Sequence, residues 1–350
     1  MEKVRLIAIE HSVPKTRWSQ KAIGEHLNKN PLVRGRTAQF YRKFLADPGI
    51  ETRHFSLASL DDIYTETADQ AIHRFQQTAT KIGAEAARKC LAAAKITTDQ
   101  VDALIVTTCT GYLCPGLTSY IAQALGFRSG IFNLDLTGIG CGAALPAIQA
   151  GAQFLRSHKN NRVLVVCAEV CSAAFSWGDE IDLILSNAIF ADGAAACLLS
   201  NHDAPGSSGM ALVDFASILW PEYRDDLRFR HREARLCNVI NKNVPAIAAK
   251  AVKTLHDQLA MRTRTPFRHY AVHPGGRRIL DGIEQALKLK PDQLLRSREV
   301  LRDYGNMSSP SILFVLKKIL EEDSPKKGES LAFFSFGAGF SAFGGVLKKI

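Results

Sequence analysis

Short runs of consecutive apolar residues punctuate the chain at 101–109, 162–170, 188–200, 268–273 and 331–346. Each is too brief for a buried helix and lacks strict alternation, which predicts strands covered on both faces. Between them lie segments of helical length. The Ala-rich stretch 82–94 gathers its charges on one side and predicts a helix packed by its alanine face. Further helices are predicted over 143–157, 245–261 and 279–287, and from Ile312 onward. Strands alternating with helices in this way indicate an α/β architecture with sheets enclosed by helices.

A weak internal echo modifies that picture. The segment from Phe190 through Gly193 to Leu199 resembles the one from Phe336 through Gly339 to Leu347. In each, glycine separates two apolar runs, which is a hairpin signal. One ends near Ser200 and the other near Ile350, so the echo predicts duplicated halves joined by the Pro/Gly/Ser-rich stretch 201–209. Glycine hairpins also recur without duplication, and the echo alone leaves both readings open.

Composition narrows the function classes. The 350 residues are 46% hydrophobic and 22% charged, which excludes disorder as the main state. Lys and Arg outnumber Asp and Glu by 44 to 34, a net charge of +10 that favours an anionic partner. Nucleic acid, an anionic membrane and a phosphorylated small molecule all qualify. The absence of zinc-finger spacing and of a basic block interleaved with aromatics disfavours nucleic acid. No apolar stretch reaches transmembrane length, and the start Met1-Glu2-Lys3-Val4-Arg5-Leu6 lacks a signal peptide's apolar core, so a cytoplasmic protein is expected. The eight cysteines lie mostly in apolar runs and are expected as buried thiols. The closest pairs, Cys109/Cys114 and Cys167/Cys171, have no neighbouring histidine, so no metal site is expected.

Three segments carry candidate chemistry. In Gly138-Ile139-Gly140-Cys141-Gly142-Ala143, a cysteine sits between glycines where an apolar run gives way to a helix of small residues, with Pro146 in its first turn. A helix N-terminus lowers a thiol pKa, so Cys141 is a candidate nucleophile; a buried structural cysteine is the plainer reading. His273 ends an apolar run and Pro274-Gly275-Gly276 turns the chain directly after it, a placement suited to proton transfer or to pairing with a thiolate. It equally fits a structural histidine. In Tyr304-Gly305-Asn306-Met307-Ser308-Ser309, Asn306 offers an amide donor to a developing oxyanion, or caps the following helix. Together the three residue types form a Cys-His-Asn set known for acyl chemistry.

On these motifs the whole chain resembles the type III polyketide synthases of the chalcone/stilbene synthase family, within the thiolase-like condensing enzymes. The run Tyr304–Ser309 separates it from the ketoacyl synthases III. The resemblance implies a five-layered αβαβα fold of two halves, 1–205 with the cysteine and 206–350 with the histidine and asparagine. It further implies a homodimer, no metal or organic cofactor, and acyl-CoA and malonyl-CoA as substrates. Cys141 then takes the acyl group, while His273 and Asn306 bind the thioester oxygen as malonyl-CoA loses carbon dioxide. Phe190 matches a gatekeeper between the CoA tunnel and the acyl cavity, although it also reads as a core aromatic. Ser308, Cys109, Cys114, Cys171 and Asn238 match cavity positions. Arg36, Arg42, Lys43 and Arg53 fall where the family binds CoA, although any one also reads as a solvated charge.

Departures from the plant pattern concern the substrate. Asn238 replaces a cavity phenylalanine, Cys109, Cys114 and Cys171 stand where plant members have Thr or Met, and the closing loop Ser335-Phe336-Gly337-Ala338-Gly339 lacks the family's proline. Smaller cavity residues suggest a bacterial-type member that extends long fatty acyl chains to alkylpyrones or alkylresorcinols. The rival readings are a single-round ketoacyl synthase III-like enzyme, a catalytically silent thiolase-fold partner subunit, and a basic nucleic-acid or membrane-surface protein.

Overall fold

The computed structural model describes residues 4–46, 49–202 and 209–350. Up to Ser200 the chain runs β1 (Arg5–Ser12), β2 (Arg17–Ser19), α1 (Gln20–Lys29), α2 (Gly35–Leu45), β3 (Thr52–His54), α3 (Asp62–Thr65), α4 (Ala68–Ala94), β4 (Ala103–Thr107), α5 (Leu117–Leu125), β5 (Phe132–Leu136), α6 (Ala144–Ser157), β6 (Arg162–Val170), α7 (Ile181–Ile189) and β7 (Asp192–Ser200). It continues with β8 (Met210–Leu219), β9 (Leu227–Arg232), β10 (Arg235–Ile240), α8 (Val244–Thr263), β11 (Phe267–Val272), α9 (Arg277–Leu287), α10 (Leu295–Tyr304), α11 (Ser311–Lys318), β12 (Ser330–Gly337) and β13 (Ser341–Lys349). Most of the predicted join, and the division between residues 205 and 206, lie outside the described residues.

Nine strands form one sheet in the order β11-β12-β13-β8-β1-β7-β6-β4-β5. From the β8/β1 seam outward the two arms mirror each other. Each has two antiparallel pairings followed by a parallel one: β1/β7, β7/β6 and β6/β4 on one side, β8/β13, β13/β12 and β12/β11 on the other. Side-chain alternation then builds the layers. Val163, Val165 and Cys167 of β6 join a central core with α6 and α11, while Leu164, Val166 and Ala168 pack outward with α4. On the other arm Leu331 and Phe333 face the same central core, and Ala332, Phe334 and Phe336 face α8. Helices α6 and α11 therefore lie between the two arms, giving α/β/α/β/α. Both faces of these strands are buried, so they read as unbroken apolar runs. Each fully buried Val, Leu or Phe contributes about 1.5–3 kcal/mol of transfer free energy.

Two expectations are corrected. The run 188–200 is not one strand: its first residues complete α7, and β7 starts at Asp192. Gly193 accordingly makes no hairpin. A Cβ there would lie 2.6 Å from the Met307 sulfur, so close packing explains this glycine. The second member of the echo is a true hairpin, with Gly337 pairing Ser341 across the turn. The helix predicted over 82–94 begins earlier, at Ala68, where Thr67 and Gln70 form a capping box. All eight cysteines are free thiols. Among the described residues no helix is long and apolar enough to cross a membrane, and no group of three or more side chains is placed to hold a metal ion.

Candidate active site

The mirrored arms bring the starts of the two central helices together. Cys141 occupies a 3-10 turn, Gly140–Gly142, directly before α6. Gly140 has φ 72°, and a Cβ on Gly337 of the facing hairpin would lie 2.3 Å from the Ile139 carbonyl oxygen. Those two positions therefore need glycine for conformation and for space respectively. Before α11, Ser308 holds a left-handed φ of 63° and donates its hydroxyl to the Cys141 sulfur at 3.2 Å. The Asn306 carboxamide offsets this strain by accepting the Ser308 N–H at 2.9 Å. Asn306 Nδ2 gives one hydrogen to the Gly275 carbonyl at 3.2 Å, which leaves the second for a ligand. Asn306 does not cap α11, whose N-cap is Pro310.

His273 follows β11 and extends its ladder by donating its backbone N–H to the Phe334 carbonyl at 2.9 Å. The ring lies edge-on to Phe336, with centroids 5.3 Å apart. It is 1% exposed, yet neither ring nitrogen has a hydrogen-bond partner among the described residues. Burial lowers its pKa to about 3, so the imidazole is neutral at physiological pH. Burial also pushes the Cys141 thiol up to about 12, with the Ser308 hydroxyl pulling the other way. Burial of the sulfur therefore works against the lowered thiol pKa expected from the helix N-terminus.

Cys141, Phe190, His273 and Asn306 line one cavity of about 390 Å³, whose rim carries Lys43, Lys242, Arg277 and Arg278. A second chamber of about 30 Å³ is lined by Cys109, Cys141, Cys171, Phe190, Asn238 and Ser308, together with Arg228 and Phe229. Phe190 and Cys141 belong to both, so the aromatic ring stands between the two spaces. Below the small chamber, the buried Glu169 carboxylate accepts from Thr108, Cys109, Thr110 and Ser309. Burial raises its pKa against those hydrogen bonds.

Residues 8–262 match the family model described as FAE1/type III polyketide synthase-like protein, and residues 213–350 match the chalcone and stilbene synthase C-terminal domain. The chain belongs to the type III polyketide synthases. A 3,5-dihydroxyphenylacetyl-CoA synthase of Streptomyces toyocaensis is 29% identical over 96% of this chain and 87% of that one. PKS-I of the brown alga Ectocarpus siliculosus shares the fold with a TM-score of 0.92 at 24% identity, over 99% of this chain and 98% of the other. The 1,3,6,8-tetrahydroxynaphthalene synthase of Streptomyces coelicolor A3(2) superposes with a TM-score of 0.89 at 24% identity, over 99% of each chain. The fold is thiolase-like.

Of the residues singled out in this type III polyketide synthase, most converge on the two spaces, but four do not. Cys114 is exposed, in the loop before α5, and lines neither space. Arg42 is exposed on α2 and lines neither, and Arg36 stacks over Phe40 at 5.3 Å. Arg53 is completely buried and bonded to protein carbonyls, so it is no CoA contact. Sequence reasoning missed Lys242, Arg277 and Arg278, although the Arg-Arg pair directly follows the His273 turn. It also missed Glu169, whose signal was a carboxylate inside a nine-residue apolar strand.

The buried neutral His273 has a consequence for stability. Its folded pKa of about 3 lies below the ordinary 6.5, so the unfolded chain binds more protons between those values. Its stabilising contribution is complete above pH 6.5 and falls, by up to about 1.4 kcal/mol per pH unit, as pH drops toward 3. Urea melts at pH 7 and pH 5 are expected to differ more for the wild type than for His273→Gln. Equal differences would show that the imidazole does not enter the folded state neutral and buried.

Proposed function

We propose that this type III polyketide synthase loads a short acyl-CoA on Cys141, extends it by repeated decarboxylative condensation with malonyl-CoA, and cyclises the product. The observation that carries this reading is the buried His273 ring, with both nitrogens unpaired, lining one cavity with Cys141 and with the spare Asn306 N–H. Leaving buried polar atoms unpaired costs about 1–3 kcal/mol, which a ligand oxygen would recover.

In loading, His273 accepts the Cys141 proton as sulfur attacks the thioester carbonyl, and that proton leaves with the CoA thiolate. In extension, the bond between malonyl Cα and its carboxylate breaks, carbon dioxide departs, and the electron pair forms an enolate. Its oxygen takes hydrogen bonds from His273 and Asn306, each worth on the order of 3 kcal/mol in the transition state. The enolate carbon then attacks the Cys141 thioester and releases the thiolate. Lys43, Lys242, Arg277 and Arg278 suit the phosphates of CoA at the rim. No step requires a metal or an organic cofactor.

We place the enzyme in the cytoplasm as a homodimer. Among the described residues strand β5 ends the sheet with no neighbour on its outer side, and its Phe132 is 48% exposed. An open sheet edge with an exposed aromatic suits pairing with a second copy.

The chamber beyond Phe190 has room for a few water-sized groups, which supports a short starter in place of the long fatty acyl chain suggested by the sequence. The Streptomyces toyocaensis relative is named for a compact aromatic acyl product, which agrees. Incubation with malonyl-CoA and acyl-CoAs graded from acetyl to palmitoyl, with products identified by mass, tests this reading. Short starters are expected to dominate. Preferred use of palmitoyl-CoA would overturn the short-starter reading, and no carbon dioxide release with any starter would leave a silent partner subunit.

A further inference from the structure

Arg53 is a fully buried cation that touches neither cavity in which the chemistry occurs. Its Nη1 donates to the Asn187 carbonyl at 2.7 Å and to the Phe190 carbonyl at 2.8 Å, and its Nε donates to Gln20 Oε1 at 2.9 Å. The guanidinium carbon lies 4.9 Å from the centre of the Phe55 ring. Gln20 in turn donates to the Ala188 carbonyl at 2.7 Å, and the Asn306 N–H donates to the Ile189 carbonyl at 2.9 Å. Every carbonyl from Asn187 to Phe190 is therefore held by a group distant in sequence, two of them by Arg53.

The same side chain presses on the segment that carries Asn306. Gly305 has φ 71°, and a Cβ there would lie 2.8 Å from Arg53 Cγ and 3.0 Å from the Ile189 carbonyl oxygen. Phe190 and Asn306 are themselves joined by a parallel bridge, closed by the Ala191 N–H donating to the Asn306 carbonyl at 2.9 Å. The neighbours of Arg53 in the chain hold the end of α10: Thr52 Oγ1 donates to the Asp303 carbonyl at 2.6 Å, and the Glu51 N–H to the Arg302 carbonyl at 2.8 Å. A buried cation is costly, and an apolar side chain would fill the same space. A single guanidinium nitrogen, Nη1, spans two carbonyls three residues apart, while Nε holds Gln20 on the other side.

The geometry points to Arg53 as a positioning residue that sets Phe190 and Asn306 in one register, resting on the roles proposed for those two residues in extension. With the register fixed, the enolate formed beside Asn306 meets the acyl group held behind Phe190. With it loosened, malonyl-CoA still loses carbon dioxide, but more enolates are protonated before they meet the thioester.

The test uses the full chain carrying Arg53→Met, Arg53→Lys or Gln20→Leu. It reads the ratio of carbon dioxide released to ketide units formed, the product-length distribution, and hydrogen exchange at the Ala191 and Asn306 amides. Arg53→Met is expected to raise the ratio at least about fivefold, to shorten the products, and to speed exchange at both amides by about tenfold. Arg53→Lys is expected to restore part of each. A merely structural role would lower every rate together and leave the ratio and the products unchanged, and that result overturns the inference. Should Arg53→Met fail to fold, Arg53→Lys and Gln20→Leu carry the test, and wild-type ratios and exchange in both also overturn it. A wild-type protein that releases no carbon dioxide refutes the proposed function instead, and exchange at the two amides still decides whether Arg53 holds the register.

Discussion

Cys141→Ala is expected to lower chain extension by at least about 1000-fold while malonyl-CoA decarboxylation persists. The two activities separate because they use different atoms. Extension needs a sulfur to hold the acyl group covalently, and Cys141 is the thiol shared by the large cavity and the chamber behind Phe190. Decarboxylation needs donors for the enolate oxygen, which His273 and Asn306 retain in the variant. Stability is expected to change little, because Cys141 is not among the residues of positive φ and alanine fits its turn. Cys109 is the obvious substitute nucleophile, since its sulfur lies 3.2 Å from the Ser308 hydroxyl that also bonds Cys141. It is a poor one: burial and the nearby Glu169 carboxylate push its thiol well above the ordinary range. The double variant with Cys109→Ser is therefore expected to match Cys141→Ala. Extension within tenfold of wild type in the single variant would remove the nucleophile assignment.

The chemistry was legible in the sequence where backbone conformation dictated residue type. Gly140 and Gly142 around Cys141, and the turn after His273, announced sharp bends at the ends of apolar runs, and the Cys141 and His273 that they flank both line the large cavity. Asn306 was ambiguous because capping and oxyanion binding use the same residue types. Only its bonds to Ser308 and Gly275 separate the two. The strand at 162–170 was visible because burial on both faces leaves an almost unbroken apolar run, and the run read at 268–273 falls on β11 one residue late. The first echo misled because a glycine can serve a turn or a close approach, and at Gly193 it serves the Met307 sulfur. Arg53 misled for a related reason. A basic residue near an expected anion site reads as a contact, and nothing local shows that its partners are carbonyls more than 130 positions away. The rim cations Lys242, Arg277 and Arg278 were missed because their meeting with Lys43 depends on how α2 and α9 converge, which is long-range information.

His273→Ala is expected to lower malonyl-CoA decarboxylation by about 100- to 1000-fold, and extension by more. One preorganised donor to a developing oxyanion accounts for that range. The additional loss in extension comes from loading, where the same ring accepts the Cys141 proton. His273→Gln separates the two duties, because a carboxamide donates a hydrogen bond but does not take up a proton at neutral pH. Decarboxylation in that variant is expected to recover at least tenfold over the alanine variant, while loading of a labelled acyl-CoA stays low. The pH dependence discriminates further. With its pKa near 3, the ring donates as neutral imidazole throughout the working range. Wild-type decarboxylation is then expected to be flat between about pH 5.5 and 8, since no group that binds the enolate changes charge there. A requirement for the imidazolium form would instead make the rate fall tenfold per pH unit across that window. Such a slope would mean that the reaction runs through the small protonated fraction of the ring, and the neutral-donor mechanism would be wrong.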